Sequence, residues 1–149
     1  MKKFLIFSVT IMFSAMLFAQ TNSISKQQLP KHVIEFIDTW YKNYVGPSYW
    51  IEYDNYIKDE YEVRFSNGTT IEFTTNGVLK SIDCGRNDYI NKELLPKKIQ
   101  TYLKQYYPSY KVVEFTHDDI GRRWEEYEVD LLNGRTITFN RLFNVIELD

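Results

Sequence analysis

The sequence predicts an α+β fold in which two tandem α-β-β-β-β repeats form one antiparallel sheet of about eight strands, with both helices on one face. The main observation is an internal repeat. EYEVRFSNGTTIEF (60–73) and EYEVDLLNGRTITF (126–139) are 66 residues apart and identical at 9 of 14 positions. A segment with helical periodicity precedes each copy, and a strand-like segment follows it. Because one helix on three or four strands is marginally stable alone, we expect the two units to share a core.

Residues 1–19 are predicted to be a signal peptide. Two lysines precede an uncharged apolar run from Phe4 to Ala19, which is the pattern of an export signal. This run is shorter than the about 20 residues that cross a bilayer, so we expect it to be cleaved, leaving no stable membrane anchor. The domain would then occupy residues 20–149, divided into repeat one (about 29–83), a linker (84–93) and repeat two (about 94–149).

One helix is predicted at the start of each repeat, in LPKHVIEFIDTWY (29–41) and LPKKIQTYLKQYY (95–107). Their apolar residues follow the i, i+3, i+4, i+7, i+8 spacing of a single helix face. Pro30 and Pro96 would lie in the first turn, where the missing N–H costs no hydrogen bond. Each helix therefore offers one apolar face to the shared core.

Four strands are predicted after each helix. The predicted positions are 49–54, the two sides of Asn67-Gly68 and about 78–82, and then 111–117, the two sides of Asn133-Gly134 and about 143–148. Asn-Gly is a preferred centre of a two-residue type I′ turn, since both residues accept a positive φ. Each repeat therefore contains a tight hairpin between its two middle strands.

Alternation along the strands assigns their side chains to two faces. The face predicted to lie under the helices carries Ile51, Tyr53, Tyr61, Val63, Phe65, Ile71, Phe73, Val113, Phe115, Tyr127, Val129, Leu131, Ile137 and Phe139. The opposite face, called the outer face below, is predicted to carry Trp50, Glu52, Asp54, Glu60, Glu62, Arg64, Thr70, Glu72, Thr74, Val112, Glu114, Trp124, Glu126, Glu128, Asp130, Thr136, Thr138 and Asn140. With helices on one side only, the outer face is open to a partner.

The predicted binding site consists of eight residues of the outer face: Trp50, Glu62, Arg64, Glu72, Trp124, Glu126, Glu128 and Asp130. The two tryptophans would anchor a partner, since tryptophan is enriched at the energetic centres of interfaces. The carboxylates would favour a basic partner, and the arginine would orient an acidic group. The alternative is an ordinary solvated sheet face, with its rings covered by a loop or by the ends of the chain.

Charge and cysteine content argue against several classes of protein. Without Lys2 and Lys3, 16 basic residues stand against 20 acidic ones, which argues against a nucleic-acid partner. Cys84 is the only cysteine, so no internal disulfide can form, and we expect it to be a small buried thiol. Aromatic residues make up 17% of the chain and supply the apolar volume for a core without disulfides.

No catalytic constellation can be read from the sequence, and we predict that the protein is not an enzyme. Neither His32 nor His117 has a cysteine or a second histidine at the spacing of metal ligands. We predict no cofactor, and calcium is the alternative that the sequence leaves open. THDDIG (116–121) has adjacent carboxylates but lacks the spacing of a calcium loop, so a plain hairpin turn is the alternative.

The repeated pattern resembles the PepSY-like family of periplasmic proteins, which are also described as beta-lactamase-inhibitor-like. It consists of an export signal and two copies of a helix that begins with Leu-Pro-Lys, each followed by a Tyr-Glu-Val strand and an Asn-Gly turn. The resemblance extends from about Leu29 to Leu148 and implies a curved sheet with helices on its convex side. TTNGVL (74–79) keeps the family's glycine before the last strand of a repeat, whereas NRLFNV (140–145) lacks it.

The resemblance also implies an inhibitory or ligand-binding role in the periplasm, with some relatives described as calcium-regulated, and it offers no catalytic residues. The first functional hypothesis is an exported binding protein that engages, and thereby modulates or inhibits, another periplasmic or secreted protein. The alternative is a sensor of the cell envelope that responds to calcium, a peptide or a glycan.

Overall fold

The computed structural model describes residues 20–54, 57–85 and 88–149. These residues form two α-helices and nine strands, which are β1 (Gln20–Ile24), α1 (Lys31–Trp40), β2 (Ser48–Asp54), β3 (Ile57–Arg64), β4 (Thr70–Thr74), β5 (Leu79–Asp83), α2 (Lys97–Tyr106), β6 (Val112–Asp118), β7 (Glu126–Leu131), β8 (Thr136–Asn140) and β9 (Val145–Leu148). A short 3-10 helix precedes each α-helix, at Lys26–Gln28 and at Lys92–Leu94. The predicted signal peptide and residues 86–87 of the predicted linker lie outside the described residues.

All nine strands belong to one antiparallel sheet, in which each strand pairs with its neighbours in the chain. The α+β class and the antiparallel sheet are therefore as predicted. The sheet has one strand more than the predicted eight, because β1 pairs with β2 at one edge. The sequence QTNSI of β1 has no apolar alternation, and all but its last side chain are exposed. Such an edge strand is held mainly by backbone hydrogen bonds, so its side-chain pattern gave no signal.

Both helices pack on the same side of the sheet. The ring of Phe36 on α1 meets the ring of Phe73 edge-on, with 5.5 Å between the centroids. Tyr102 on α2 meets Phe139 in the same way, at 5.3 Å. Since both strand residues belong to the predicted apolar face, α1 and α2 cover that face, and no helix of the described residues packs on the other one.

The core agrees with the predicted alternation in the two hairpins. Ten hairpin residues that were predicted to face the helices are buried: Tyr61, Val63, Phe65, Ile71, Phe73, Tyr127, Val129, Leu131, Ile137 and Phe139. Each helix adds two buried residues, Val33 and Ile37 from α1 and Ile99 and Leu103 from α2. Removing a large apolar side chain from water is worth about 1.5–3 kcal/mol, so this continuous core is the main source of stability.

The prediction for Val112 and Val113 was wrong. Val112 is completely buried, whereas Val113 is only half-buried. The register between β6 and β7 shifts at this point, with Val112 opposite Leu131 and Glu114 opposite Asp130. Val113 is the extra residue of a β-bulge, which reverses the alternation locally and turns Val112 to the core.

The hairpin turns are longer than the predicted two-residue type. Gly68 and Gly134 have φ of +90° and +84°, but the preceding asparagines do not adopt a positive φ. The Phe65 N–H donates to the carbonyl of Thr69, at 2.9 Å, and the Asn67 side chain accepts from the Thr69 N–H, at 3.0 Å. Asparagine therefore stabilises the turn through its side chain, and glycine alone supplies the left-handed residue.

The turn before β9 forms without glycine. Gly77 has a φ of +75°, and Phe143, which is 66 residues further along the chain, has a φ of +65°. The Phe143 ring stacks on Tyr127, with 4.7 Å between the centroids. A left-handed conformation costs a non-glycine residue about 1–2 kcal/mol, and the packing of this ring offsets that cost.

Cys84 follows β5 and is a buried free thiol, as predicted. Burial, and next the charge of Asp88, raise the pKa of this thiol to about 12. The thiol is therefore protonated at neutral pH and has the character of a small apolar side chain. Neither helix of the described residues is long and apolar enough to cross a membrane.

Candidate binding surface on the outer sheet face

The outer face is organised in rows that run across the strands. One row takes a single residue from each of the nine strands, namely Ser23, Trp50, Glu62, Glu72, Ser81, Thr116, Glu128, Thr138 and Glu147. The next row contains Ser48, Arg64, Thr70, Asp83, Glu114, Asp130 and Thr136. Directly opposite side chains of antiparallel strands point to the same face, so both rows lie on the side without helices.

At the β2–β3 end of the face, three of the predicted residues form one unit. The Arg64 guanidinium lies 5.0 Å from the centre of the Trp50 ring and pairs with both carboxylate oxygens of Glu62. The indole N–H of Trp50 donates to the Ser48 hydroxyl at 3.0 Å. The hydrogen bond with Glu62 raises the pKa of Arg64. Because Glu62 already holds it, Arg64 is less available to a partner's acidic group than predicted.

A second ion pair neutralises the neighbouring part of the face. Lys80 pairs with Glu60, whose exposed fraction is only 7%. Burial raises the pKa of Glu60, although the ammonium of Lys80 opposes this effect. Sequence alternation missed the pair because a bulge shifts the β4–β5 register between Glu72 and Phe73. Lys80 has no directly opposite residue there, and its side chain reaches Glu60.

The centre of the face, around β5, β6 and β7, carries carboxylates without such compensation. Asp83, Glu114 and Asp130 are directly opposite one another on three adjacent strands. Glu72 and Glu128 lie in the neighbouring row. These five residues are called the central carboxylates below. In the part of the chain that the structure describes, none of them forms an ion pair with a lysine or arginine.

The central carboxylates repel one another. Burial and the charges of Asp83 and Asp130 raise the pKa of Glu114. Burial and the charge of Asp130 raise that of Glu128 in the same way. Two members accept hydrogen bonds from hydroxyls, since Ser81 donates to Glu72 at 2.8 Å and Thr136 donates to Asp130 at 2.5 Å. These hydroxyls supply hydrogen bonds to the carboxylate oxygens of Glu72 and Asp130, but they do not neutralise the negative charge.

Trp124 lies in the turn before β7, not on the strand where alternation placed it. Its exposed fraction is 59%. Four strand spacings separate β2 from β6 in the sheet, which corresponds to about 19 Å. Trp50 on β2 and the turn that carries Trp124 are therefore far apart across the width of the sheet.

The turn that carries Trp124 is fastened to the sheet. His117 Nε2 lies 2.5 Å from Glu125 Oε1, and the Tyr127 hydroxyl donates to the same oxygen at 3.1 Å. The hydrogen bond from His117 lowers the pKa of Glu125. The His117 ring also stacks on the Tyr127 ring, with 4.3 Å between the centroids. Trp124 is thus presented to solvent by a turn whose end is held in place.

Seven of the eight predicted residues form two groups on the face, and the eighth, Trp124, lies in the turn before β7. Trp50, Glu62, Arg64 and Glu72 are neighbours on β2, β3 and β4, whereas Glu126, Glu128 and Asp130 lie on β7. Sequence reasoning missed Asp83 and Glu114 as members of the site, although alternation had assigned Glu114 to the outer face. The missing information was the β5–β6 pairing, which brings the two halves of the sheet together.

A calcium site requires several oxygen donors that converge on one point. Within residues 20–54, 57–85 and 88–149, no three side chains of histidine, cysteine, aspartate or glutamate are arranged to hold a metal ion. In THDDIG, Asp119 pairs with Arg122 at 3.7 Å, and Asp118 ends β6. The described residues therefore do not fit a preformed calcium site, which needs six to eight converging oxygens.

Comparison with known proteins decides the family. Residues 59–147 match the family described as "Putative beta-lactamase-inhibitor-like, PepSY-like". The chain belongs to the PepSY-like family. No curated protein matches it.

Three solved structures are similar to this PepSY-like chain. The first, described as a "putative calcium-regulated periplasmic protein" from Bacteroides thetaiotaomicron, is 29% identical, with a TM-score of 0.76, and the match covers 87% of this chain and 96% of that one. The second, described as a "putative periplasmic protein" of the DUF2874 family from Bacteroides vulgatus, is 30% identical, with a TM-score of 0.75 and the same coverage. A third protein, from the same organism, is 24% identical, with a TM-score of 0.73 over 87% of this chain and 99% of that one. That third likeness shows the fold alone.

Proposed function

We propose that this PepSY-like protein is a non-enzymatic binding protein of the periplasm that engages a basic surface of another exported protein with its outer face. The observation that carries the proposal is the group of central carboxylates, in which burial and, next, neighbouring negative charges raise the pKa of Glu114 and Glu128. A positively charged partner would relieve this repulsion. Electrostatic complementarity of this kind selects partners and accelerates their encounter.

The two ends of the face would have different roles in this complex. The exposed ring of Trp124 would be an anchor at one end. At the other end, the Trp50 ring, already stacked under Arg64, would be a rigid platform with little side-chain entropy left to lose. Glu126 and Glu128 are exposed on β7 and would contact basic groups directly.

We further propose that binding inhibits or modulates the partner, on the basis of the family's description as beta-lactamase-inhibitor-like. The size of the face is consistent with such a role. Nine strands at about 4.8 Å spacing give a width of about 38 Å. Such a surface can bury the about 800 Å² per partner that is typical of stable complexes and so block a neighbouring site.

Export through a signal peptide at residues 1–19 and a tandem origin of the two halves are parts of the same proposal. The periplasmic descriptions of the related structures support export. The order of one helix followed by four strands in residues 31–83 and again in 97–148 supports duplication of one unit. Two copies would place their carboxylates on the same side of a common sheet, which explains why charge accumulates at its centre.

Affinity capture tests the proposed function. Residues 20–149 would be immobilised and exposed to envelope extract of the host, and the retained proteins would be identified by mass spectrometry. A Trp50→Ala, Trp124→Ala variant would be compared with a Trp40→Ala, Tyr106→Ala control, whose rings are exposed on the helices. We expect the control to retain a protein that the first variant loses. Equal retention by the two variants would contradict the role of the outer face.

The second candidate is a sensor of calcium or of another small ligand. The row of Asp83, Glu114 and Asp130 favours it, since carboxylate oxygens are the ligands that calcium prefers. The described residues do not form a preformed site, so binding would require rearrangement of these side chains. A melt with millimolar calcium tests this candidate, because any ion bound to the native state raises the midpoint. An unchanged midpoint would remove calcium from consideration.

A further inference from the structure

A pocket lies away from the outer face, where three connecting segments meet. It is bounded by Tyr44 in the middle of the α1–β2 loop, by residues 88–92 and by the α2–β6 loop at residues 108–111. Its volume is about 660 Å³, within the range of about 300–1,000 Å³ that is usual for small-molecule sites. None of the eight predicted face residues lines it, so it is a separate site from the proposed protein interface.

Aromatic rings form much of the pocket wall. Tyr89 and Tyr110 have exposed fractions of 52% and 42%, respectively. Tyr110 is supported from behind by Tyr107, in edge-to-face contact with 5.9 Å between the ring centroids. The Tyr110 ring is therefore held in place with part of its surface free, and the Tyr89 ring is half-exposed beside the same pocket. Such rings offer flat apolar contact and a hydroxyl at the same position.

The pocket is lined by one carboxylate, that of Asp88, and by two ammonium groups, those of Lys92 and Lys111. They differ in how many partners they already have. The Asp88 carboxylate already accepts three hydrogen bonds, from the Tyr44 hydroxyl at 2.5 Å, the Asn67 amide at 3.3 Å and the Tyr89 N–H at 2.8 Å. By contrast, the Lys111 ammonium lies over the Tyr89 ring, 3.5 Å from its centre. In the described part of the chain, neither Lys92 nor Lys111 forms an ion pair with a carboxylate.

This arrangement is suited to a ligand that has an apolar flat face, hydroxyl groups and one negative charge. An aliphatic ligand would desolvate the lysines without pairing them, which is unfavourable. A neutral sugar would use the rings and the polar side chains of Asn91 and Ser109 but would leave both ammonium groups without a counter-charge. A sugar acid satisfies all three requirements at once.

We propose that this pocket binds a carboxylated pyranose of the hexuronic-acid class. The C–H face of the sugar ring lies on Tyr110, and the carboxylate lies between Lys92 and Lys111. The hydroxyls of the sugar exchange hydrogen bonds with the polar wall. The ammonium of Lys111 keeps its contact with Tyr89 while it pairs with the ligand, so the site is partly organised before binding.

Calorimetric titration of the chain from residue 20 onward tests this site, with glucuronate as the probe and glucose and acetate as comparisons. We expect glucuronate to bind at least about tenfold more tightly than either comparison, because glucose lacks the carboxylate and acetate lacks the sugar ring; tenfold in Kd corresponds to about 1.4 kcal/mol. Tyr110→Ala and Lys111→Ala should each weaken glucuronate binding by about tenfold. The matched controls Tyr106→Ala and Lys104→Ala, on the exposed surface of α2 outside the pocket, should leave it unchanged.

Thermal melts of all four variants show whether each one is folded. Backbone amide shifts on addition of glucuronate should be confined to residues 88–92 and 108–111 and their neighbours. The proposal is overturned if the wild-type chain does not bind glucuronate, if glucose binds equally well, or if the control variants weaken binding as much as the pocket variants.

Discussion

Glu114 lies directly opposite Asp130 across the β6–β7 pairing, and on its other side it lies opposite Asp83 of β5. Three carboxylates therefore stand side by side at the junction of the two halves of the sheet. The hydrophobic core on the other face fixes the register of these strands, so the carboxylates cannot move apart without breaking it. The fold thus maintains a concentration of negative charge that it does not itself neutralise with the described lysines and arginines.

The first prediction concerns the charge of Glu114. Its pKa is raised, so the charged form is destabilised in the folded state. Glu114→Gln should raise the free energy of unfolding at pH 7 by about 0.5 kcal/mol, the scale of one cross-strand pair. A carboxyl whose pKa is raised in the folded state contributes stability at pH values below its unfolded pKa of about 4.3. This contribution is lost as the pH rises through the folded pKa. Near pH 3 the wild-type Glu114 is protonated and uncharged like glutamine, so the gain in the free energy of unfolding from Glu114→Gln should disappear.

Urea unfolding at the two pH values measures this effect. Glu93→Gln is the control, since its exposed carboxylate forms no ion pair with any described residue. A stability gain of the same size in both variants, or a gain that persists at pH 3, would show that repulsion at Glu114 is not the cause.

The second prediction concerns the ion pair of Glu60 and Lys80. Lys80→Met should lower the free energy of unfolding at pH 7 by about 1–3 kcal/mol, because it leaves a buried carboxylate without its counter-charge. The double variant Glu60→Gln, Lys80→Met should recover most of this loss. At pH 4 the single variant should lose less, since Glu60 already has a raised pKa and takes up a proton easily. Equal losses at pH 7 and pH 4 would be inconsistent with a charge effect.

The third prediction concerns the turn that presents Trp124. Glu125→Gln removes the charge that pairs with His117 and should accelerate amide hydrogen exchange in residues 119–125 by about fivefold, which corresponds to about 1 kcal/mol. Since the pKa of Glu125 is lowered, the wild-type protection should be lost as pH falls through that lowered value. Arg123→Ala, an exposed change in the same turn, is the control. Unchanged exchange in the Glu125 variant would show that the pair does not hold the turn.

The fourth prediction concerns two glycines with left-handed backbone. A Cβ added at Gly77 would lie 2.0 Å from His32 Nε2, whereas one added at Gly68 meets nothing within 4 Å. Gly68→Ala should cost about 1 kcal/mol for its positive φ alone. Gly77→Ala should cost about 1 kcal/mol more, because the imidazole must move and lose its 3.2 Å contact with the Gly77 carbonyl.

A double-mutant cycle separates the two contributions at Gly77. In a His32→Ala background, Gly77→Ala should cost no more than Gly68→Ala does in the wild type. If the excess cost persists without the imidazole, contact with His32 is not its origin.

Sequence periodicity was sufficient for the helices, the hairpin strands and the ten buried hairpin residues. It succeeded because apolar residues at period 3.6 or 2 have one favourable orientation when a single core is present. It failed at Val112 and at Lys80, where β-bulges change the alternation. A bulge depends on how two distant strands meet, and nothing in the local sequence of either strand specifies it.

The candidate site was only half predictable for a related reason. Trp50, Glu62 and Arg64 were placed correctly on one face, but their mutual neutralisation depends on side-chain positions that alternation does not provide. Asp83 joined Glu114 through the β5–β6 pairing, which spans the junction of the halves. The repeated sequence pattern predicts the elements within each half of the sheet, whereas contacts between the halves have no counterpart in that pattern.

The most direct test of the central claim is the affinity of a captured partner for three forms of the protein. These are the wild type, a face variant with Glu114→Gln and Glu128→Gln, and a control with Glu35→Gln and Glu93→Gln, which loses the same charge away from the outer face. We predict that the face variant binds at least about tenfold more weakly at low salt, that the control binds like the wild type, and that the difference shrinks as ionic strength rises. Equal weakening in the two variants, or none in either, would contradict a binding role for the outer face.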